Sequence, residues 1–543
     1  MKPGYGCEKG MDGSMLRPLF LGALLCAMAL PGSADVRFTI DAARNRTPIS
    51  PLIYGTNQPD WETTAKGLTF TRLGGNRWTA YNWETNASNA GNDYFFQNDG
   101  FLGGGDTPGE AVRPQIAKAL AAGASIVVTI PMAGYVSADK NGDRDVNKTP
   151  NFLNTRFFKS LPRKGNPFAF PPDTHDGVVY QDEFVAFLEK TFPNTHKSVS
   201  GAMFYSLDNE PDLWDSTHAR LRTAKLTYRE LLARTIDYTT AIKAVAPNAL
   251  IFGPASYGWA GYQTLQGAPD GNGRDFLEFY LAGMKQAEQK AGRRLLDVLD
   301  VHWYPEARGG GKRITEDGET PGLIQARLQA PRSLWDPAYS EDSWIAHDAL
   351  HEPIRLLPRL KEKISRNYPG TKLAITEYNY GGGNHISGAI AEADALGIFG
   401  REGLFAAALW HLSNEERFVY GGFASYRNYD GKGGRFGDIS VFAQTSDAVQ
   451  SSIYASVDRA DPNRLVLVAI NKTDHALTAD MEIASSAALH CSEAYALTAA
   501  SPTPKLVDLP ALSGGRLHYI LPTMSVSTLV LRSPVKAGGV RFQ

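Results

Sequence analysis

The sequence predicts a (β/α)8 barrel joined to a second, smaller antiparallel β domain, and three observations carry that expectation. Short apolar, β-rich runs recur eight times between residues 52 and 410, with helical stretches between several of them. These runs are apolar on both faces, as strands are when buried between a barrel interior and an outer helix layer. After about residue 440 the pattern changes to alternating or apolar runs separated by Pro, Ser and Gly, with no strong helix.

The eight predicted strands span 52–54, 69–73, 125–130, 202–207, 250–252, 296–303, 372–376 and 405–410. Helices are predicted over 182–191, where Phe184, Val185, Phe187 and Leu188 keep the helical period, over 228–245, ended by Pro247, and over 354–364. Strand and helix in alternation over 52–440 fit a barrel, which needs about 250 residues or more. A doubly wound open sheet usually has a Gly-rich phosphate turn after its first strand, and Tyr54-Gly55-Thr56-Asn57 is not one. Further strands are predicted at 465–470, 479–483 and 517–531. Residues 36–40 are strand-like as well, so the second domain is expected to comprise 35–51 plus 441–543.

At 543 residues the chain is too long for one ordinary core. Its net charge of −2 comes with no basic block, which argues against nucleic acid as a partner. Residues 19–30 are apolar, follow Arg17 and precede Pro31-Gly32-Ser33-Ala34. That is the pattern of a secretory signal over 1–34 with cleavage near Ala34. The stretch is too short to span a bilayer, so the expected location is secreted or periplasmic, without a membrane anchor. Translation is compatible with a start at Met1 or Met15. Cleavage removes Cys7 and Cys26, leaving Cys491 as a small buried apolar residue with no disulfide partner. A monomer is expected.

Two strand ends carry the chemistry. Tyr205-Ser206-Leu207-Asp208-Asn209-Glu210-Pro211 places acids and amides just past an apolar run, where barrel enzymes keep their active sites; a capped polar loop would look similar. Ile375-Thr376-Glu377-Tyr378 repeats the arrangement. Two Glu residues ending different strands can face each other across the mouth, as glycoside cleavage requires of its two carboxyl groups. Asn209 adds a donor for a sugar hydroxyl.

The chain resembles glycoside hydrolase family 44, the endoglucanases and xyloglucanases with a barrel plus a β-sandwich. The stretches that carry the resemblance are Arg72-Leu73-Gly74-Gly75-Asn76-Arg77 with Tyr81-Asn82-Trp83-Glu84, and Leu207 to Pro211. Others are Asp300-Val301-His302-Trp303-Tyr304-Pro305-Glu306, residues 330–337 (APRSLWDP), residues 375–382, and Tyr426-Arg427-Asn428-Tyr429-Asp430-Gly431. The resemblance implies endo-acting, retaining cleavage of β-1,4-glucan, mixed-linkage glucan and xyloglucan, with Glu210 as acid/base and Glu377 as nucleophile. Glu377 must then be ionised while Glu210 is protonated, and the charge of Glu377 is expected to raise the pKa of its neighbour. A β-mannanase or xylanase with other aromatic loops, and a non-catalytic carbohydrate-binding protein, are the rival readings.

Tyr304 is placed to orient Glu377 through its hydroxyl, or simply to pack. His302 is a proton shuttle, a cleft residue or a satisfied strand-end histidine. Arg72 bonds a carboxylate beneath the site or bridges strands. Trp83, Trp335 and Trp410 are the candidate sugar platforms, each with a core role as the alternative. No cofactor is expected, no clustered His/Cys spacing suggests zinc, and a structural calcium is the one metal the sequence leaves open: Asp139, Asn141, Asp143 and Asp145 have calcium-loop spacing, but the twelfth position is Pro150, not Glu. A solvated acidic turn is the favoured reading of that segment.

Overall fold

The computed structural model describes residues 34–63, 66–413 and 415–533. The predicted leader, with both candidate start residues, Cys7 and Cys26, lies outside the described residues apart from Ala34.

Eight parallel strands close into a barrel. In chain order they are Gly55–Asn57, Phe70–Leu73, Ser125–Ile130, Met203–Leu207, Ile251–Ser256, Val298–Trp303, Lys372–Tyr378 and Ala406–Leu409. All but Lys372 in these strands are buried, which is why the runs read as apolar on both faces. One end of the interior is filled by Phe70, Phe204 and Phe252 set against Ala374, Ala406 and Ala408, large side chains fitted to small ones.

The first strand begins later than 52–54. Pro51–Ile53 form a 3-10 turn instead, begun by Ser50, whose hydroxyl accepts from the Leu52 amide at 3.2 Å. Pro just after a Ser cap favours a helical turn over a strand. The run is apolar because Leu52 joins the cluster inside the barrel. Pairing starts at Gly55, where a Cβ would come within 2.7 Å of the Ala407 carbonyl oxygen and the Phe70 ring.

The predicted helices form at Gln181–Thr191, Tyr228–Val245 and Leu356–Asn367. Thr227 caps the second of them by accepting from the Glu230 amide at 3.0 Å. Helix Ile386–Glu402 has no amphipathic period to read, since Ile386 through Gly400 are all buried. It is wedged between the barrel and the second domain, as is part of Arg417–Arg427.

The second domain is a sandwich whose two sheets share the strand Ile439–Thr445. That strand pairs with Val36–Asp41 on one side and Ser451–Val457 on the other. Val36–Asp41 also runs parallel to Leu477–Ala484, while the neighbouring pairs are antiparallel. Val36, Phe38, Met481 and Leu517 pack against Leu465, Leu467, Leu529 and Leu531 between the sheets. The opposite face of the second sheet, with Val466, Val468 and Val530, joins the barrel core. Across this junction Lys472 Nζ meets Asp394 Oδ2 at 2.7 Å, both side chains 1% exposed, and the Tyr454 hydroxyl donates to Asp394 at 2.6 Å.

Candidate active site

The fourth barrel strand ends in a backbone that only a tightly held loop adopts. Asp208 and Glu210 have φ of 64° and 42°, in the left-handed region that costs a non-glycine residue free energy. The Glu210 amide is held by the Ala255 carbonyl at 3.0 Å. The Asp208 carboxylate gathers the Thr79 hydroxyl at 2.6 Å, the Asn209 amide at 2.7 Å, the Ala133 amide at 3.0 Å and the Met132 amide. Asp208 thus ties three strand-end loops together, and burial raises its pKa to about 6 despite those donors.

Glu377 lies on the seventh strand beside His302 on the sixth. Arg72, on the second strand and fully buried, donates to Glu377 Oε1 at 2.6 Å and to Asn209 Oδ1 at 2.8 Å. The Tyr304 hydroxyl donates to Glu377 Oε2 at 2.9 Å. Burial and the two carboxylates hold the Tyr304 hydroxyl well above its ordinary pKa, so it remains a donor. The Asn209 oxygen also accepts from the Gly75 amide at 3.2 Å, and its nitrogen donates to Asn76 at 3.4 Å.

His302 Nδ1 stands 2.8 Å from Glu210 Oε1 and 3.5 Å from Glu377 Oε2. Burial pushes the imidazole pKa down to about 3, so the ring is neutral and carries one proton. Among the described residues Nε2 is buried without a partner. We assign the proton to Nδ1, from which it is donated to Glu210 Oε1 at 2.8 Å, because the other tautomer would leave a buried Nε2–H unpaired. Glu210 then keeps Oε2 for its own proton. Its pKa rises to about 7, chiefly by burial; Arg72 pulls it down and Asp93 pushes it up. Burial, not the charge on Glu377, is the main cause, which corrects the sequence expectation.

One atom each of Glu210, His302 and Glu377 lie within 4.8 Å of one another. A divalent ion could use that spacing, but Arg72 already occupies Glu377 Oε1 as its countercharge. Beneath this group Asp300 accepts the Thr376 hydroxyl at 2.8 Å, and burial lifts its pKa to about 7. Asp212 is likewise pushed to about 7 by burial and then by Glu210, against donors from Ser256 and Tyr257. The arrangement offers an acid whose pKa is lifted to about 7 and a carboxylate compensated by Arg72, close together at a barrel mouth, as acid-assisted displacement at an acetal carbon requires.

The family model for glycoside hydrolase family 44 matches residues 87–307. Endoglucanase A of Paenibacillus lautus is 44% identical over 522 residues, covering 92% of this chain and 73% of that one. The chain belongs to glycoside hydrolase family 44 and is a glycoside hydrolase. A family 44 xyloglucanase from Paenibacillus polymyxa, solved with xyloglucan, superposes with a TM-score of 0.87 at 42% identity, covering 92% of this chain and 99% of that one. A β-mannanase/endoglucanase A of Caldicellulosiruptor saccharolyticus is 42% identical over 497 residues, covering 87% of this chain but 37% of that one.

In this family 44 chain the structure gathers Arg72, Asn209, Glu210, His302, Tyr304 and Glu377, while the three tryptophans part company. Trp410 stays at the mouth: it is half-buried, and a Cβ on Gly75 would come within 2.5 Å of its indole. Trp83 is not a platform. It is fully buried, with its ring 5.5 Å from Phe184 and 5.1 Å from Phe187, so no face is open to a sugar. Trp335 is not beside Glu210 and Glu377 either. It packs 4.1 Å from Arg401, near the C-terminal end of helix Ile386–Glu402 and roughly 22 Å along the axis from the end that follows the seventh barrel strand.

The Asp139–Asp145 segment is not an open calcium loop. Arg156 takes Asp139 at 2.6 Å and Asp143 at 2.9 Å, Arg220 takes Asp145 at 2.7 Å, and Asn141 faces solvent. Guanidinium groups already supply the positive charge a cation would bring. Sequence reasoning missed Asn57, which donates to the Thr376 carbonyl at 2.9 Å and accepts from Arg72 at 3.4 Å. It also missed Asp300 and Asp212. Each sits in or just past a barrel strand, the one signal that pointed to them.

Proposed function

We propose that this family 44 enzyme cuts β-1,4-glucan chains internally with net retention, Glu377 attacking and Glu210 moving the proton. The observation that carries the reading is the spacing of the carboxylates, whose facing oxygens lie within 4.8 Å. Double displacement uses carboxyl groups about 5–5.5 Å apart, whereas inversion needs roughly 6.5–9.5 Å to admit a water.

In the first step a Glu377 oxygen bonds to the anomeric carbon as the glycosidic bond breaks, and Glu210 gives its proton to the departing oxygen. In the second, Glu210 takes a proton from water as that water's oxygen attacks the same carbon and the Glu377 ester bond breaks. Forming the ester consumes the charge on Glu377 and leaves Arg72 without its partner. Arg72 already lowers the Glu210 pKa, so the freed cation favours ionised Glu210 when a base is needed. Tyr304 and Arg72 hold the attacking carboxylate, and the His302 Nδ1–H directs the acid proton to Oε2.

A β-1,4-glucan substrate, xyloglucan included, is supported by relatives named endoglucanase and xyloglucanase. Export through a leader ending near Ala34 belongs to the same proposal, since it would bring the enzyme to a polymer too large to enter a cell. Azide rescue with an activated aryl cellobioside tests the roles. Glu377→Ala is expected to yield the α-glycosyl azide and Glu210→Ala the β-glycosyl azide. The reverse pairing would exchange the roles, and full wild-type activity in either variant would remove the assignment.

A further inference from the structure

The seventh barrel strand breaks its alternation where Glu377 has to be aimed. Along a strand, successive side chains point to opposite faces. Ala374 fills the barrel interior, while Ile375 and Tyr378 join the core outside it. The Tyr378 hydroxyl donates outward to Glu392, on helix Ile386–Glu402, at 2.7 Å. Between these two outward residues lie two inward ones. The Thr376 hydroxyl meets Asp300, and the Glu377 carboxylate meets Arg72 and Tyr304 at the mouth.

The extra residue is Thr376. Toward the sixth strand, Val301 pairs with Ile375 and His302 with Glu377, which leaves Thr376 out of the ladder. Toward the eighth, Ile375 pairs with Ala407 and Tyr378 with Leu409, so Thr376 and Glu377 together oppose Ala408. This is a β-bulge, and a bulge beside an active site re-aims a side chain. In a regular strand Glu377 would follow Thr376 onto the helix-facing side, away from any sugar.

A bulge deprives backbone groups of their ladder partners, and buried ones must find others. Asn57 supplies them: its side-chain nitrogen reaches the carbonyl oxygens of Thr376 at 2.9 Å, Leu409 at 3.2 Å and Ala408 at 3.4 Å. Asp300 takes the other side, with both carboxyl oxygens 2.8 Å from the Thr376 hydroxyl. Thr376, Asp300 and Asn57 are all buried, so solvent does not compete for these bonds. The Asn57 oxygen also accepts from Arg72 at 3.4 Å, which ties the bulge to the guanidinium that holds Glu377.

We propose that Asp300 and Asn57 are positioning residues that hold the Thr376 bulge, and that the bulge aims the Glu377 carboxylate at the anomeric carbon. Both act through Thr376 and not on the sugar. This rests on the reading of Glu377 as the nucleophile.

The test uses a dinitrophenyl fluoro-cellobioside, with fluorine on the carbon next to the anomeric one. A Glu377 oxygen bonds to the anomeric carbon, and dinitrophenolate leaves with the electron pair of the broken bond. That leaving group needs no acid, so the inactivation rate reads attack by Glu377 without Glu210. Thr376→Val removes the hydroxyl at nearly constant shape. It is expected to slow inactivation about 10–100-fold, since misplacing a reacting group by about 1 Å costs up to about 10²-fold, with the binding constant of the inactivator unchanged. Thr376→Ser restores the hydroxyl and should recover most of the rate. Asp300→Ala and Asn57→Ala release the bulge from its two sides and should slow inactivation too. Thr376→Val/Asp300→Ala should be no slower than the slower single variant, because both remove one bond. Rates are taken per folded molecule. Wild-type rates in Thr376→Val, or in Asp300→Ala and Asn57→Ala, overturn the proposal. Binding losses equal to the rate losses overturn it too, because the whole mouth would then have loosened, as do single losses that multiply in the double variant. Labelling of wild type at a residue other than Glu377 overturns the nucleophile reading itself, and that control separates the two failures.

Discussion

Removing the countercharge of Glu377 tests the electrostatics of the site. Arg72 is fully buried, donates to Glu377 at 2.6 Å and to Asn209 at 2.8 Å, and lies 3.4 Å from Asn57. Arg72→Met leaves Glu377 in the same buried place without its cation, at a cost of about 3–5 kcal/mol for the charged form. That cost falls on the charged form that attack requires. Allowing for relaxation, kcat/KM should fall about 10²–10³-fold. Arg72 also lowers the Glu210 pKa, so its loss should move the alkaline limb of the profile upward from about pH 7. Arg72→Lys keeps the charge but not the fork that reaches Glu377 and Asn209 together, and should fall between. The assay is kcat/KM against pH on an aryl cellobioside, with urea unfolding of each variant alongside. Arg72→Met within about threefold of wild type, with the alkaline limb unmoved, would refute the reasoning.

Trp83→Ala should destabilise the fold by about 3–5 kcal/mol, read from urea unfolding, while the folded fraction keeps its KM. Trp410→Ala should do the reverse, raising KM with little change in the urea midpoint. Lys472→Met strands buried Asp394 at the barrel–sandwich junction and should cost about 3–5 kcal/mol, with Asp394→Asn added in the same chain recovering part of the loss. Asp300 has a folded pKa of about 7, above its value of 3.8 in a free chain. The folded state therefore binds its proton more tightly, and the associated stability is present below the lower value and lost as pH rises through the upper one. The Tm of Asp300→Asn relative to wild type should climb from pH 5 to pH 8; a flat or falling difference would contradict the buried-acid account.

Barrel strands are legible because their burial on both faces leaves a continuous apolar run, and seven of the eight lie close to where the sequence puts them. The exception, 52–54, is apolar for a different reason: Leu52 plugs the barrel from a Ser-Pro-capped turn. Glu210, Glu377, Arg72 and Tyr304 could be singled out because a strand end fixes where a side chain can go. Trp83 and Trp335 could not be sorted this way, since an indole in a loop-rich segment reads the same whether Phe184, Arg401 or a sugar lies against it. The acidic segment at Asp139 failed similarly: its spacing is visible, but its pairing with Arg156, 13 residues past Asp143, and with Arg220, 75 past Asp145, is made only in the fold. Helix Ile386–Glu402 hid because burial on every side erased its period.

The central claim is that Glu377 bonds to the sugar and Glu210 manages the proton. Proton NMR of the first products released from a cello-oligosaccharide tests it most directly. The account predicts that the new reducing end appears as the β-anomer, with the α-anomer growing only later through mutarotation. An α-anomer present first would mean inversion and would contradict a covalent role for Glu377.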